Sequence, residues 1–254
     1  ASGTGAPVPL ALVAALAAGL LAGTVTGLLN TVLGIPEILS GILTQISLWS
    51  VNLLILSGAN KAVNVDEYPL IVTLRNVKSS IVTALVFAAV LICILYWYFG
   101  TEQGSAIRAT GCNPHMARAQ GINIDFMKVL AISLSNGLVG LSGGLLAQYQ
   151  GFADIKMGQG SIVIGLAAVI IGEVLGDALL GKSMNFALRL GFVVVGGVLY
   201  YLVIGLVMWL KMPTDLLKLL TAVIVATFLA VPYLRAKSKN SFALAGKRGA
   251  QNHA

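Results

Sequence analysis

Charged side chains are scarce in this chain of 254 residues. Asp, Glu, Lys and Arg together make up 10% of the sequence, whereas 57% of it is hydrophobic. Soluble domains carry about 25% charged residues, which keep their surfaces in contact with water. A soluble fold of this length would have too few polar groups to cover its apolar surface. The shortage of charge therefore excludes an ordinary soluble enzyme and indicates a protein that faces lipid.

Histidine and cysteine are also rare, with two of each. His115 and Cys112 lie in a polar stretch, Cys93 lies in an apolar run and His253 lies near the carboxyl end. Residues so dispersed predict neither a metal site nor a disulfide. The sequence also lacks the Gly-x-x-x-x-Gly-Lys-Ser/Thr loop that binds nucleotide phosphates. We expect a chain without cofactor or metal that does not itself hydrolyse ATP.

Long apolar runs are abundant, and a membrane-spanning helix needs about 20 such residues. The runs predict an all-α fold, a polytopic transmembrane helix bundle of about seven spans. The chain starts without an initiator Met, which predicts truncation at the amino terminus. The predicted spans are Val8–Leu29, Ile38–Ser57, Ile81–Phe99, Val129–Tyr149, Ser161–Leu180, Leu188–Leu210 and Leu217–Leu234.

The basic residues, which give a net charge of +7, fall between the apolar runs and in the tail. We interpret residues 1–234 as one transmembrane domain and residues 235–254 as a basic cytoplasmic tail. Cytoplasmic loops carry the excess of Lys and Arg. Placing the loop 100–128 and the tail inside puts ten of the 16 basic residues on the cytoplasmic side. The residues present would then start outside the cell and end inside it.

Glycines recur at helical spacing within the predicted spans. Gly19, Gly23 and Gly27 are four residues apart, and the ranges 140–144 and 172–176 both begin and end with glycine. Small residues at this spacing let two membrane helices approach closely. The pattern predicts helix packing rather than phosphate binding.

The polar loop 100–128 contains signals for a short helix. Asn113 can cap a helix start, and Pro114 suits its first turn. Gly121 suits the left-handed position just past a helix end, where Ile122 can fold back onto the last turn. These residues predict a helix of about two turns, capped at both ends. The alternative is a connecting loop with an incidental helical turn.

The same residues carry a resemblance to a known family. The pattern Gly-x-Asn-x-x-x-Ala-x-x-x-Gly-Ile over 111–122, followed by an apolar helix and Leu-Val-Gly-Leu-Ser-Gly-Gly over 138–144, resembles the permeases of bacterial ABC (ATP-binding-cassette) importers. It is most similar to the branched-chain amino acid and ribose-type permease family. Ile-Ile-Gly-Glu over 170–173 and Pro-Thr-Asp-Leu-Leu-Lys over 213–218 resemble its tryptophan or tyrosine uptake subgroup.

The resemblance implies a multi-pass subunit of the bacterial inner membrane that moves a small organic solute, such as an amino acid, by alternating access. It implies as partners a cytoplasmic ATP-binding subunit, an extracytoplasmic solute-binding protein and a second permease chain, which would make a homodimer. The loop would insert into a groove on the ATPase. By this resemblance the coupling residues are Gly111, Asn113, Pro114, Ala117, Arg118, Gly121 and Ile122.

Four polar residues within the spans are candidates for a translocation path: Asn52, Asn136, Glu173 and Asp177. Ionisable groups at membrane depth are costly and often functional. For the two carboxylates, the alternative is pairing with nearby basic residues at the cytoplasmic end of the span. For the two amides, it is bonding between helices. A different class of function, an ion-gradient-driven secondary transporter or channel, would depend on Glu173 as a carboxylate at mid-membrane.

Overall fold

The computed structural model describes residues 8–62, 72, 77–158, 160–180, 185–209 and 223. Nearly all of these residues are helical. The helices are α1 (Val8–Thr31), α2 (Glu37–Leu56), α3 (Val77–Gly100), α4 (Glu102–Cys112), α5 (Pro114–Ala119), α6 (Ile124–Gln150), α7 (Ser161–Leu180) and α8 (Phe186–Trp209). Two short strands, β1 (Asn60–Ala62) and β2 (Phe152–Asp154), precede a 3-10 helix at Ile155–Gly158.

The all-α prediction is confirmed, and six of the seven predicted spans correspond to the long helices of the described residues. In that part of the chain, α1, α2, α3, α6 and α8 are long and apolar enough to cross a membrane. Helix α7 has the predicted bounds and contains both intramembrane carboxylates. Apart from Val223, the seventh predicted span, 217–234, and the tail 235–254 lie outside the described residues. The domain boundary at 234 therefore stays a prediction.

The surfaces of the long helices are apolar and exposed. Ile38 of α2, Leu54 of α2 and Trp209 of α8 are each more than 80% exposed. Water would penalise such side chains, whereas the hydrocarbon of a bilayer accepts them. The described helices are therefore built to face lipid or neighbouring protein.

Helices α1 and α6 pack with their backbones in close contact. A Cβ atom added to Gly23 would lie 2.6 Å from the Cα of Ser133, and one added to Gly27 would lie 2.9 Å from the Cα of Val129. From the other side, a Cβ on Gly140 would lie 2.5 Å from the carbonyl oxygen of Ala15. The predicted packing role of these glycines is confirmed. We call this contact the α1–α6 seam; its close-packed residues are Gly19, Gly23, Gly27, Ser133, Gly137 and Gly140.

Hydroxyl groups add polar bonds to the seam. The hydroxyls of Thr24 and Ser133 lie 3.0 Å apart, and Ser133 Oγ donates to the carbonyl oxygen of Leu20 at 2.8 Å. Thr26 Oγ1 donates to Thr44 Oγ1 at 2.9 Å, which ties α1 to α2. Such bonds between membrane helices hold the register that the glycines permit.

Polar contacts connect the helices of this first group at each of its two ends. At one end, Lys128 Nζ lies 3.4 Å from Glu37 Oε1, so the α1–α2 turn lies beside the start of α6. At the other end, β1 pairs antiparallel with β2, and Asn60 lies opposite Asp154. If the spans alternate in direction, Glu37 and Lys128 lie on one side of the membrane, and β1 and β2 lie together on the other side.

Helices α7 and α8 form a second compact group, within residues 159–254. Gly172 and Gly196 allow the two backbones to touch, since a Cβ on Gly196 would lie 2.6 Å from the Gly172 nitrogen. Ala167, Ile171 and Tyr200 form the buried cluster beside this contact. The packing predicted for Gly172 is confirmed.

Candidate functional site

The loop 100–128 folds into two short helices, of which sequence reasoning predicted only the second. Helix α4 begins at an N-cap formed by Thr101, whose hydroxyl accepts the N–H of Gly104 at 3.3 Å. Glu102 places a carboxylate in the first turn, which favours a helix start. A side chain at Gly104 would collide with the backbone of Tyr98 and Phe99, so α4 turns back closely on the end of α3. Thr101 followed by Glu102 was the available signal.

Asn113 joins α4 to α5. Its backbone N–H donates to the Ala109 carbonyl oxygen at 3.0 Å, where α4 ends. Its side-chain Oδ1 accepts the N–H of Met116 at 3.1 Å and so caps the start of α5. Pro114 occupies the first turn of α5. The predicted amino-terminal cap is therefore confirmed.

The carboxyl end of α5 has the two hydrogen bonds of a Schellman motif. The N–H of Ile122 donates to the Ala117 carbonyl oxygen at 3.1 Å, and the N–H of Gly121 donates to that of Arg118 at 3.0 Å. Gly121 has a φ of +80°, which an L side chain rarely adopts. The predicted left-handed cap is confirmed, and α5 is a helix of six residues closed at both ends.

The short helix and its flanks present almost all of their side chains outward. Residues 111–116 and 118–121 are exposed, and Met116 is 63% exposed. Ala117 is the exception at 2%, because α5 packs against α4 and the start of α6. Ile122 is half-buried. We call residues 111–122 the coupling segment, after the role that the family resemblance predicts for them. Ala117 packs against the helices, and the exposed residues, which include the cation Arg118, form an outward surface.

Hydrogen bonds constrain the short connection between the coupling segment and α6. Gln120, Gly121 and Ile122 donate their N–H groups to carbonyls of α5. The next residue, Asn123, caps α6 by accepting the N–H of Phe126 at 3.1 Å, and Ile124 is buried. Hydrogen-bonded residues therefore connect the end of α5 to the start of α6.

The four path candidates have different surroundings. Asn52 is exposed on α2, whereas Asn136 is half-buried in the α1–α6 seam and donates to the Ile132 carbonyl oxygen at 3.0 Å. Glu173 Oε1 lies 3.6 Å from Arg189 Nε, and Asp177 is exposed on α7. The geometry thus gives Glu173 the basic neighbour that the anchoring alternative requires.

Comparisons with known proteins identify the family of the chain. The family model for the permease component of branched-chain amino acid transport systems matches residues 2–231. The chain belongs to this permease family. The tyrosine transport system permease protein of Clostridioides difficile is 36% identical over 217 residues, which are 85% of this chain and 70% of that protein. No solved structure matches the chain significantly.

Other relatives, which match shorter parts of the chain, are named for other solutes. A nucleoside ABC transporter permease of Lactococcus lactis is 34% identical over 114 residues, which are 44% of this chain and 36% of that protein. An autoinducer 2 import system permease of Salmonella typhi is 33% identical over 98 residues, which are 38% of this chain and 27% of that protein. The permease is therefore a transport subunit of an ABC import system in the inner membrane, rather than an ion-driven carrier. Such a subunit works with an ATP-binding subunit and a solute-binding protein.

Proposed function

We propose that the permease imports an amino acid with an aromatic side chain and that the coupling segment carries the work of ATP hydrolysis into the membrane. The observation that supports the second part is the geometry of α5, which is capped at both ends and exposed except at Ala117. A helix this short is unstable alone, so its caps and its contact with α6 are what keep it rigid. Rigidity is the property that a force-transmitting contact needs.

The route of the force follows from the hydrogen bonds. Closure of a separate, dimeric ATPase would push the coupling segment. Because residues 120–123 are bonded into the ends of α5 and α6, the push would tilt α6. Helix α1 would move with α6, since their backbones interlock at Gly23 and Gly140. Two helices moving as one body would change the access to a central path, as alternating access requires.

The partners and the solute rest on the comparisons. The tyrosine transport permease covers most of this chain at 36% identity, which supports an aromatic amino acid as the solute. We expect two copies of the permease to form a homodimer above two ATPase chains. The end of the first helix group that contains β1 and β2 would face the solute-binding protein. There, Lys61, Asp154 and Lys156 offer charges to a docking partner.

The coupling proposal is tested by replacing Gly121 with Val in the full-length permease complex. Val tolerates a φ of +80° poorly, so the carboxyl end of α5 should unwind and lose its capping hydrogen bonds. We expect the ATPase to lose its stimulation by the solute-loaded binding protein, or to dissociate. The measurement is ATP hydrolysis in reconstituted membranes, with and without tyrosine and the binding protein.

Gly34 supplies a matched control. It has a φ of +65° in the α1–α2 turn, and no atom lies within 4 Å of an added Cβ at either glycine. Gly34→Val therefore introduces a similar strain outside the coupling segment and should leave stimulation intact. Equal loss of stimulation in both variants would show that strain in general, and not the coupling segment, is responsible. Normal stimulation in Gly121→Val would refute the proposal directly.

A further inference from the structure

We propose that a groove between α3 and α6 binds one acyl chain of a membrane phospholipid. The groove has a volume of about 470 Å³, within the range of small-molecule sites. Its two walls are the membrane helices α3 and α6, and Val72, which lies before α3 in the chain, also lines it. No role in coupling or in the proposed path accounts for the groove.

The chemistry of the walls selects an uncharged, apolar occupant. The lining includes Phe87 and Leu91 on α3 and Leu138 and Leu141 on α6. None of the lining residues is Asp, Glu, Lys, Arg or His. A zwitterionic amino acid would lose its hydration there without gaining a charged partner. The groove is therefore unsuited to the proposed solute and suited to hydrocarbon.

Three of the four polar side chains that line the groove lie toward one end, and the fourth, Ser142, lies closer to Leu138. Ser80 and Thr83 lie near the start of α3, and Tyr149 lies near the end of α6, so all three mark the end at which β1 and β2 pair. Leu91 and Leu138 mark the other end. Tyrosine favours the headgroup level of a membrane. The arrangement fits an amphiphile whose glycerol end lies by Tyr149 and whose chain end lies by Leu138.

The length of the groove matches one leaflet. The lining runs from position 80 to 91 on α3 and from 138 to 149 on α6. At 1.5 Å per residue, each wall is about 16 Å long. The hydrocarbon of a bilayer is about 30 Å thick, so half of it is about 15 Å. An acyl chain of a single leaflet would therefore fill the groove from end to end.

The packing of the walls explains why the groove stays open. Helix α6 is bound to α1 through the seam, whereas α3 packs mainly against α4. The glycines of α6 that permit close approach, Gly137 and Gly140, meet α1, whereas the α6 wall of the groove consists mainly of leucines. Inside a membrane, lipid is the apolar molecule at hand to occupy such a space.

The test uses the full-length complex in nanodiscs that contain phospholipids with a photoactivatable diazirine. One lipid carries the diazirine near the carbonyl end of its acyl chain, and a second carries it near the methyl end. Peptide mapping after illumination should find the first label near Ser80 and Tyr149 and the second near Leu91 and Leu138. It should also find both enriched over the outward positions Val82, Val86 and Val90. Even labelling of all lipid-facing positions, or the reverse order of the two labels, would overturn the proposal.

Two substitutions on neighbouring positions of α3 sharpen the test. Ala88→Phe places a ring in the groove and should abolish the enriched labelling. Ala89→Phe places the same ring outside the lining and should leave it unchanged. If Ala88→Phe fails to fold, Ser142→Phe fills the groove from α6 and has the same expected result. Crosslinks from the groove to another protein segment in place of lipid would assign the groove to helix packing and refute the proposal.

Discussion

Glycine serves opposite purposes in the α1–α6 seam and in the coupling segment. At Gly23 and Gly140, an added Cβ would meet the backbone of the partner helix at 2.6 Å and 2.5 Å. At Gly111 and Gly121, no atom lies within 4 Å of an added Cβ. In the seam the missing side chain makes room for a neighbour. In the coupling segment it leaves open space, and at Gly121 it also permits a left-handed backbone.

The difference separates stability from coupling. Substitutions in the seam should damage the fold itself, because backbone cannot move aside. Substitutions in the coupling segment should leave the membrane helices folded and alter only the surface that α5 presents to the ATPase. The following variants test this separation, from the largest expected effect to the smallest.

Gly140→Val should cost about 3 kcal/mol of unfolding free energy, the upper part of the usual range for overpacking, because its side chain would meet the backbone of Ala15. The matched control is Gly143→Val on the same helix, where an added Cβ meets no atom within 4 Å. Denaturant unfolding in mild detergent measures both. Equal losses in the two variants would mean that the seam is not closely packed.

Asn113→Ala and Asn123→Ala should each remove one cap worth about 1 kcal/mol. Both side chains accept a backbone N–H at 3.1 Å, but α5 has six residues and α6 has 27. A helix of six residues depends on its cap more than one of 27 residues, so Asn113→Ala should reduce solute-stimulated ATP hydrolysis more than Asn123→Ala does. The same assay used for Gly121 measures this. Identical behaviour of the two variants would contradict the separate roles of α5 and α6.

The hydroxyl pair of the seam should contribute little. A double-mutant cycle of Thr24→Val and Ser133→Ala should give a coupling energy of about 0.6 kcal/mol, the average for hydrogen bonds between membrane helices. Unfolding in detergent supplies the four free energies. A coupling energy several times larger would show that the hydroxyls, rather than the close packing at the glycines, stabilise the seam.

Glu173→Gln should have the smallest effect, about 0.5 kcal/mol or less, because the ion pair with Arg189 is 3.6 Å long and both side chains are about half exposed. We expect solute uptake to be unchanged in reconstituted vesicles. Asp177→Asn on the same helix is the control. Loss of uptake in a stable Glu173→Gln protein would instead place that carboxylate on the translocation path.

Local signals in the sequence were sufficient wherever one stretch of chain sets its own structure. The spans followed from their length and hydropathy, and the caps at Asn113 and Gly121 followed from backbone chemistry. Helix α4 was missed because a single Thr-Glu signal in a polar stretch is weak evidence. The glycine face of α1 was predicted, yet its partner α6 lies more than 100 residues away, and no local pattern names that partner.

Features that depend on two distant segments were likewise beyond the sequence. The β1–β2 pair joins residues 60–62 to 152–154, and the groove needs one wall from α3 and one from α6. The pairing of Glu173 with a basic neighbour was one of the two interpretations of the sequence, and the packing of α7 against α8 decides which basic residue lies near. Tertiary placement, rather than residue chemistry, set the limit in each case.

If the coupling segment transmits force as proposed, the pairing of β1 with β2 makes α6 a lever. The strands tie the far end of α6 to the end of α2, opposite the coupling segment, and so supply a fulcrum. With 27 residues at 1.5 Å each, the arm is about 40 Å long. A tilt of about 5° about that fulcrum would move the cytoplasmic end by about 3.5 Å while the outer end stays in place. The stroke would therefore be largest at the cytoplasmic mouth, where an importer must release its cargo.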